Sequence, residues 1–184
     1  MLAKLIRRVA EALDQAEIPY MIIGGQAVLL YGRPRLTRDI DITLGIDTDD
    51  FLRLSSVCGE LDLRILPESP LDFVQRTRVL PAEEPESRIR VDFIFSFSEY
   101  ERQAIDRAKQ VAMDDYPVRF ASCEDIIIHK MVASRAVDIE DVRHLLVKNR
   151  QQLDYDYLRH WLSEFSALPE YEQILESFEH LLKE

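Results

Sequence analysis

Apolar residues near the start of the chain recur at the spacing of one helix face. They are Leu2, Leu5, Ile6, Val9 and Leu13. Positions three and four apart lie on the same side of an α-helix, so the pattern predicts an amphipathic first helix that packs on a core. The segment also carries basic residues, but it lacks the long apolar run and small-residue cleavage site of a secretory signal. We therefore expect no targeting sequence here.

A short apolar run, a glycine pair and an alternating acidic segment follow the first helix. Tyr20–Ile23 is typical of a buried strand that ends in a tight turn at Gly24-Gly25, and residues 26–31 are typical of a helix start. Residues 39–44 alternate acidic or polar with apolar side chains, which predicts a strand. Successive side chains of a strand point to opposite faces, so Asp39 and Asp41 are predicted to share one face.

The remaining pattern predicts further strands and helices, ending in a helical region. The predicted elements are a helix at 47–57, a strand at 61–66, a loop with an irregular element at 67–85, a strand at 88–95, a helix at 99–109 and a strand at 117–120. From residue 122 onward the pattern indicates about four helices. We therefore predict a sheet-bearing region, 1–121, with a helical region, 122–184, packed on it.

Composition and charge narrow the classes of function. The chain has 184 residues, 47% of them hydrophobic, which is enough for the core of a single domain. The sequence contains no run of about 18 apolar residues, so it predicts no membrane-spanning helix. A net charge of −11 disfavours broad binding to nucleic acid. Arginines 33, 35 and 38 nevertheless surround the paired aspartates, and Arg88 and Arg90 precede Asp92 on a strand-like run. This concentration suits a triphosphate better than a long polymer. Cys58 and Cys123 have no metal-ligand spacing, which favours reduced thiols in a cytoplasmic protein.

The paired aspartates favour metal-dependent phosphate chemistry. Mg²⁺ usually takes one or two protein carboxylates together with substrate phosphates, the number that Asp39 and Asp41 can supply. Asp92, on a later strand, could hold a second metal or accept the proton of an attacking hydroxyl. Gly24 and Gly25 would let backbone amides approach phosphates at the start of a helix. Taken singly, each signal has an ordinary explanation: a tight strand-to-helix turn, or acidic residues at a strand end.

Together these residues resemble the polymerase-beta-type nucleotidyltransferases. The resemblance rests on the glycine pair, the motif Arg35-x-Thr37-x-Asp39-Ile40-Asp41, and Asp92 on an apolar strand, and it is greatest to the small bacterial group of minimal nucleotidyltransferases and AbiEii-like proteins of toxin-antitoxin systems. It implies an α/β (α+β) fold, a mixed sheet flanked by helices with a helical C-terminal region. It also implies metal binding by the three aspartates, and nucleotide binding by Gly24, Gly25, Arg35 and Thr37.

A second block, Lys130-Met131-x-x-Ser134-Arg135-x-x-Asp138-Ile139-Glu140-Asp141, resembles the segment that follows the catalytic core in that group. The resemblance implies that Lys130 lies near the nucleotide phosphates. Two other interpretations remain open: Asp138 can be a helix N-cap, and the basic residues can form a solvated helix face.

The leading hypothesis is an Mg²⁺-dependent enzyme that transfers a nucleoside monophosphate from a nucleoside triphosphate to a hydroxyl. The acceptor can be a protein tyrosine or serine, a tRNA 3′ end or a small molecule such as an aminoglycoside, with tRNA disfavoured by the acidic charge. An alternative is a nucleotidyltransferase-like binding module that acts through the partner protein of a toxin-antitoxin pair without turnover. A purely structural α/β domain is the third hypothesis.

Overall fold

The computed structural model describes residues 2–32, 37–96 and 98–183. Within these ranges, strands and helices are interspersed through the first two thirds of the chain, with two pairs of strands in direct succession, and helices follow. The strands are β1 (Tyr20–Ile23), β2 (Asp39–Leu44), β3 (Arg64–Ile65), β4 (Val79–Glu83), β5 (Arg90–Phe95), β6 (Lys109–Met113) and β7 (Tyr116–Phe120). The helices are α1 (Leu2–Gln15), α2 (Gly24–Tyr31), α3 (Phe51–Glu60), α4 (Pro70–Thr77), α5 (Glu99–Asp106), α6 (Cys123–Ala133), α7 (Ala136–Asn149), α8 (Tyr155–Ser166) and α9 (Ile174–Leu181).

The described strands form one mixed sheet, in the order β3-β4-β5-β2-β1-β7-β6. The central strand β2 runs antiparallel to β1 and parallel to β5, while β7 runs parallel to β1. Apolar side chains of β2 and β5 fill one face, and Ile40, Val91 and Phe93 are all fully buried. The predicted α/β fold with a mixed sheet and helices is confirmed. Among the described residues, every helix is too short or too polar to cross a bilayer.

The chain divides into two compact units. Residues 2–26 and 37–121 form the first unit, which holds the whole described sheet together with α1, α3, α4 and α5. Residues 27–32 and 122–183 form the second unit, which holds the rest of α2 and the helices α6 to α9. The division into domains at residues 121 and 122 stays a prediction.

Most of α2 belongs to the second unit, where side chains of α7 bind its last carbonyls. Lys148 Nζ donates to the carbonyl of Gly32 at 3.0 Å, and Asn149 Nδ2 donates to that of Tyr31 at 3.1 Å. The last carbonyls of a helix have no partner within it, so side chains that reach them stabilise its end. The end of α2 is therefore part of the helical unit.

The segment 67–85 is more regular than predicted, because it contains α4 and β4. Pro70 begins α4 directly after Ser69, and proline suits the first helical position because its fixed φ is already helical and its missing N–H is not needed there. Pro81 lies within β4, where β3 pairs only with Glu83 and Ala82. Proline has no backbone N–H to donate, but Pro81 lies beyond the paired residues of β3 and β4, so this pairing loses no hydrogen bond. The prediction of a loop at residues 67–85, in which the prolines interrupt regular structure, is therefore wrong.

Other boundaries also differ from the prediction. The helix α2 begins at Gly24 rather than at residue 26, so the turn that follows β1 is made at Gly24 itself, with a φ of 64°. Arg88 lies before β5 with a φ of 58°, so it does not share in the strand's alternation. The edge strand β6 was missed because its side chains are mostly exposed or half-buried and give no clear alternation.

Candidate active site

The predicted carboxylates come together on the polar face of β2 and β5. In the parallel pairing of these strands, Asp41 lies opposite Asp92, and Asp39 lies opposite Arg90. Adjacent strands are about 4.8 Å apart, and directly opposed side chains share a face. Asp41 and Asp92 are half-buried, whereas Asp39 is exposed. The register thus brings three carboxylates and one guanidinium to neighbouring positions.

Gly24 is in direct contact with Asp41 where β1 passes into α2. Its φ is +64°, and a Cβ at this position would lie 2.0 Å from Asp41 Oδ2. Glycine is required here for two reasons, because another residue would be strained in its backbone and would overlap the carboxylate. The start of α2, with its partial positive charge, therefore lies against Asp41.

Gly25 makes room for Thr37, which in turn binds Asp39. A Cβ on Gly25 would lie 2.6 Å from Thr37 Oγ1, and that hydroxyl donates to Asp39 Oδ1 at 2.6 Å. Gln26 Nε2 donates to the backbone carbonyl of Asp39 at 3.2 Å. The first residues of α2 thus fix both the backbone and, through Thr37, the side chain at the start of β2.

Arg90 forms an ion pair with one carboxylate oxygen of Asp92. Its Nε donates to Asp92 Oδ1 at 2.7 Å, and the two side chains are 54% and 18% exposed. The guanidinium therefore keeps much of its surface in water while it neutralises a carboxylate of the site. Arg90 precedes Asp92 on a strand-like run, as the sequence indicated, and the structure joins the two side chains. Gln26 is a contact that the sequence-based prediction missed, because the sequence pattern gives no signal for it.

Lys130 lies in the second unit, within a buried ion cluster. Its Nζ is 2.6 Å from Asp138 Oδ1 and 2.9 Å from Asp141 Oδ2, and its side chain is 6% exposed. Burial alone would raise the pKa of Asp138, but hydrogen bonds from Arg135 and Lys130 outweigh it and hold the pKa below its usual range. The N-cap of α7 is Arg135 rather than Asp138. The predicted contact of Lys130 with nucleotide phosphates stays a prediction.

Arg35, predicted to bind the nucleotide, lies outside the described residues. Among those that the structure does describe, no group of three or more His, Cys, Asp or Glu side chains is arranged to hold a metal ion. The donor chemistry of the face nevertheless fits Mg²⁺, a hard cation that binds through one or two carboxylates plus phosphates. A guanidinium cation already lies against this face, on Asp92.

Comparison with known proteins identifies the family. The profile of the family described as "Nucleotidyltransferase of unknown function (DUF6036)" matches residues 1–179. The chain belongs to this family. The resemblance to nucleotidyltransferases is therefore confirmed, and the protein is a nucleotidyltransferase by family. A comparison with curated proteins finds no match.

Solved structures share the nucleotidyltransferase fold at low identity. The solution structure of the antibiotic-resistance factor ANT(2″)-Ia is 19% identical with a TM-score of 0.62, and the match covers 94% of this chain and 97% of that chain. The same enzyme in complex with adenylyl-2″-tobramycin is 21% identical, with a TM-score of 0.60 and coverage of 90% and 97%. The lincosamide antibiotic adenylyltransferase LnuA, lincomycin-bound, is 17% identical, with a TM-score of 0.54 and coverage of 77% and 94%.

Proposed function

We propose that this nucleotidyltransferase moves a nucleoside monophosphate from an Mg²⁺-bound nucleoside triphosphate to an acceptor hydroxyl. The observation that carries the proposal is the register of β2 and β5, in which Asp41 opposes Asp92 directly beside Gly24. Carboxylates next to a glycine-led helix start combine ligands for a hard cation with amides for phosphate oxygens. Family membership supports the same chemistry.

In the proposed reaction the acceptor oxygen attacks the α-phosphorus, the bond to the β-phosphate oxygen breaks, and pyrophosphate leaves. Asp92 accepts the proton of the acceptor hydroxyl, as a carboxylate can when it is within hydrogen-bond reach. Asp39 and Asp41 would hold Mg²⁺, with Asp92 available for a second ion, and the bound cation would supply stabilisation of the developing charge. The backbone of Gly24 and Gly25, with Thr37 and Arg35, would contact the nucleotide phosphates.

The acceptor is proposed to be a small molecule. A net charge of −11 disfavours a long polyanion such as tRNA and favours a neutral or cationic acceptor. Structures of similar fold are bound to adenylyl-2″-tobramycin and to lincomycin, so tobramycin and lincomycin are convenient first acceptors to assay. A protein acceptor, a partner of a toxin-antitoxin pair and a non-catalytic binding role stay predictions from the sequence.

The test is transfer of label from each of four α-labelled nucleoside triphosphates, with Mg²⁺, to lysate metabolites and to these antibiotics. Wild type is compared with Asp41→Asn and Asp92→Asn, which keep size but remove charge. Asp72→Asn, at an exposed position on α4, is the matched control. We expect loss of at least about 100-fold in both site variants and none in the control. Undiminished transfer by Asp41→Asn would refute the proposal.

A further inference from the structure

Arg90 lies in a row of alternating charges that crosses four strands on one face of the sheet. Arg64 of β3 opposes Glu83 of β4, Glu83 opposes Arg90 of β5, and Arg90 opposes Asp39 of β2. Opposed residues of neighbouring strands lie side by side on the same face. The proposed catalytic face is therefore the acidic end of a longer charged surface.

Two other arginines already bind Glu83, the acidic neighbour of Arg90 on β4. Arg64 Nη2 and Arg88 Nη1 lie 2.6 Å and 3.0 Å from Glu83 Oε1, and the Glu83 side chain is only 13% exposed. Arg90 instead donates through Nε to Asp92 Oδ1 at 2.7 Å. The row thus directs the guanidinium of Arg90 toward the carboxylates of the site rather than away from them.

The Arg90 side chain is 54% exposed. A guanidinium has five N–H donors in a planar fork, and the fork matches two phosphate oxygens as well as it matches a carboxylate. A charge-assisted bond made by a half-exposed guanidinium can be exchanged at low cost, because water already screens and solvates the guanidinium. Arg90 is therefore suited to exchange its carboxylate partner for phosphate oxygens.

We propose that Arg90 binds the phosphates of the nucleoside triphosphate and, in doing so, releases Asp92. Before the nucleotide arrives, the guanidinium competes with a divalent cation for the Asp92 carboxylate. Once its donors turn to the phosphates, Asp92 becomes available to the cation and to the proton of the acceptor hydroxyl. This inference rests on the proposed function, since it assigns a residue and an order of events to the same site.

The test compares Arg90→Ala and Arg90→Lys with Arg76→Ala, which removes an exposed arginine on α4 whose guanidinium contacts the Asp72 carbonyl of the same helix. Two affinities are measured by titration: that of a non-hydrolysable α,β-methylene nucleoside triphosphate with Mg²⁺, and that of Mn²⁺ alone, followed by its paramagnetic resonance signal. We expect Arg90→Ala to weaken analogue binding about 10- to 100-fold, the scale of a lost charge-assisted contact. Mn²⁺ alone should bind about threefold or more tightly, because a competing positive charge is gone.

Opposite changes in the two affinities are the decisive outcome. Arg90→Lys should recover part of the analogue affinity, since it keeps the charge but loses the fork, and Arg76→Ala should leave both affinities within about twofold. Unchanged analogue binding in Arg90→Ala, or a parallel loss of both affinities, would overturn this inference alone. A wild-type protein that binds none of the four analogues would overturn the proposed function as well.

Discussion

Gly24 is the residue on which the candidate site depends most closely. It joins β1 to α2 with a φ of +64°, and it touches the Asp41 carboxylate so closely that no Cβ fits. Its conformation and its contact have one origin, because the same backbone that needs glycine also sets the start of α2 against the carboxylate. Small changes here should therefore affect stability and function together.

We expect Gly24→Ala to lower the free energy of unfolding by about 1–3 kcal/mol, from left-handed strain and overlap with Asp41. Nucleotide transfer should fall with it. Urea unfolding and the labelled-transfer assay measure the two effects. The control is Gly59→Ala, near the end of α3, where a Cβ meets nothing within 4 Å. This change should stabilise the protein by up to about 1 kcal/mol. Wild-type stability in Gly24→Ala would contradict the expected overlap.

Thr37 is expected to act through the orientation of Asp39. Its hydroxyl donates to Asp39 Oδ1 at 2.6 Å. Thr37→Val keeps the shape but removes the donor, so transfer should fall about tenfold, the equivalent of ~1.4 kcal/mol, with little change in unfolding. Thr37→Ser keeps the hydroxyl and should retain most activity. Equal activity of the Val and Ser variants would show that the hydroxyl is dispensable.

At the scale of elements, the positions of helices and strands were predicted best where buried and polar side chains follow a clear pattern. The strands β1 and β2 were predicted within their observed bounds because a buried apolar run and a strict alternation are strong signals. The prediction failed for β4 and β6, where a proline or exposed side chains hide the period. The pairing of strands was not predictable either, because no local pattern states that Asp41 on β2 opposes Asp92 on β5.

The ion cluster that joins α6 to α7 should depend on pH. Lys130 is held between Asp138 and Asp141, and Asp138 is fully buried. We expect Asp138→Asn to cost about 3–5 kcal/mol at pH 7, because it leaves a buried cation with one carboxylate fewer. The pKa of Asp138 is lower in the folded protein than in the unfolded chain. Its contribution is therefore complete above about pH 5 and is lost as the pH falls through the folded value.

Urea unfolding at pH 7, 5 and 3.5 checks this expectation, and the difference between wild type and Asp138→Asn should narrow only at the lowest pH. The matched control is Glu140→Gln, at an exposed position on the same helix, which should change stability by no more than about 0.5 kcal/mol. A Lys130→Gln variant that keeps wild-type stability but loses nucleotide binding would instead support the predicted phosphate contact.

At the scale of the whole molecule, the two cysteines report on the two compact units separately. Cys58 lies in the first unit and Cys123 in the second, and their exposures are 0% and 7%. Burial raises the pKa of both thiols to about 12. Thiolates are the reactive species, so neither residue should react unless its surroundings open.

We expect both thiols to react at least about 100-fold more slowly with an aromatic disulfide reagent at pH 8 than in unfolding concentrations of urea. Cys58→Ala leaves Cys123 as the only thiol, and Cys123→Ala leaves Cys58. Comparing their rates in sub-denaturing urea shows whether the two units open together or singly. Rapid reaction of either thiol in native buffer would contradict the burial described above.

The family itself was recognisable from the sequence, because the glycine pair, the aspartate pair and the later aspartate form a joint pattern that is rare by chance. The family profile that matches residues 1–179 confirms the predicted resemblance to nucleotidyltransferases. Acceptor identity was not predictable in the same way. It depends on surface shape and on loops, whose sequences carry no period and no fixed spacing.

The division of α2 between the two units bears on how the protein could be taken apart. Cleavage between residues 121 and 122 would give two pieces, and the second would lack residues 27–32 of its own unit. Lys148 and Asn149 would lose the carbonyls that they bind, and the end of α2 would be left to water in the first piece. Neither piece would hold a complete helical unit, so the break would create a matched pair of fragments suited to complementation, with recovered nucleotide transfer as the sign of reassembly.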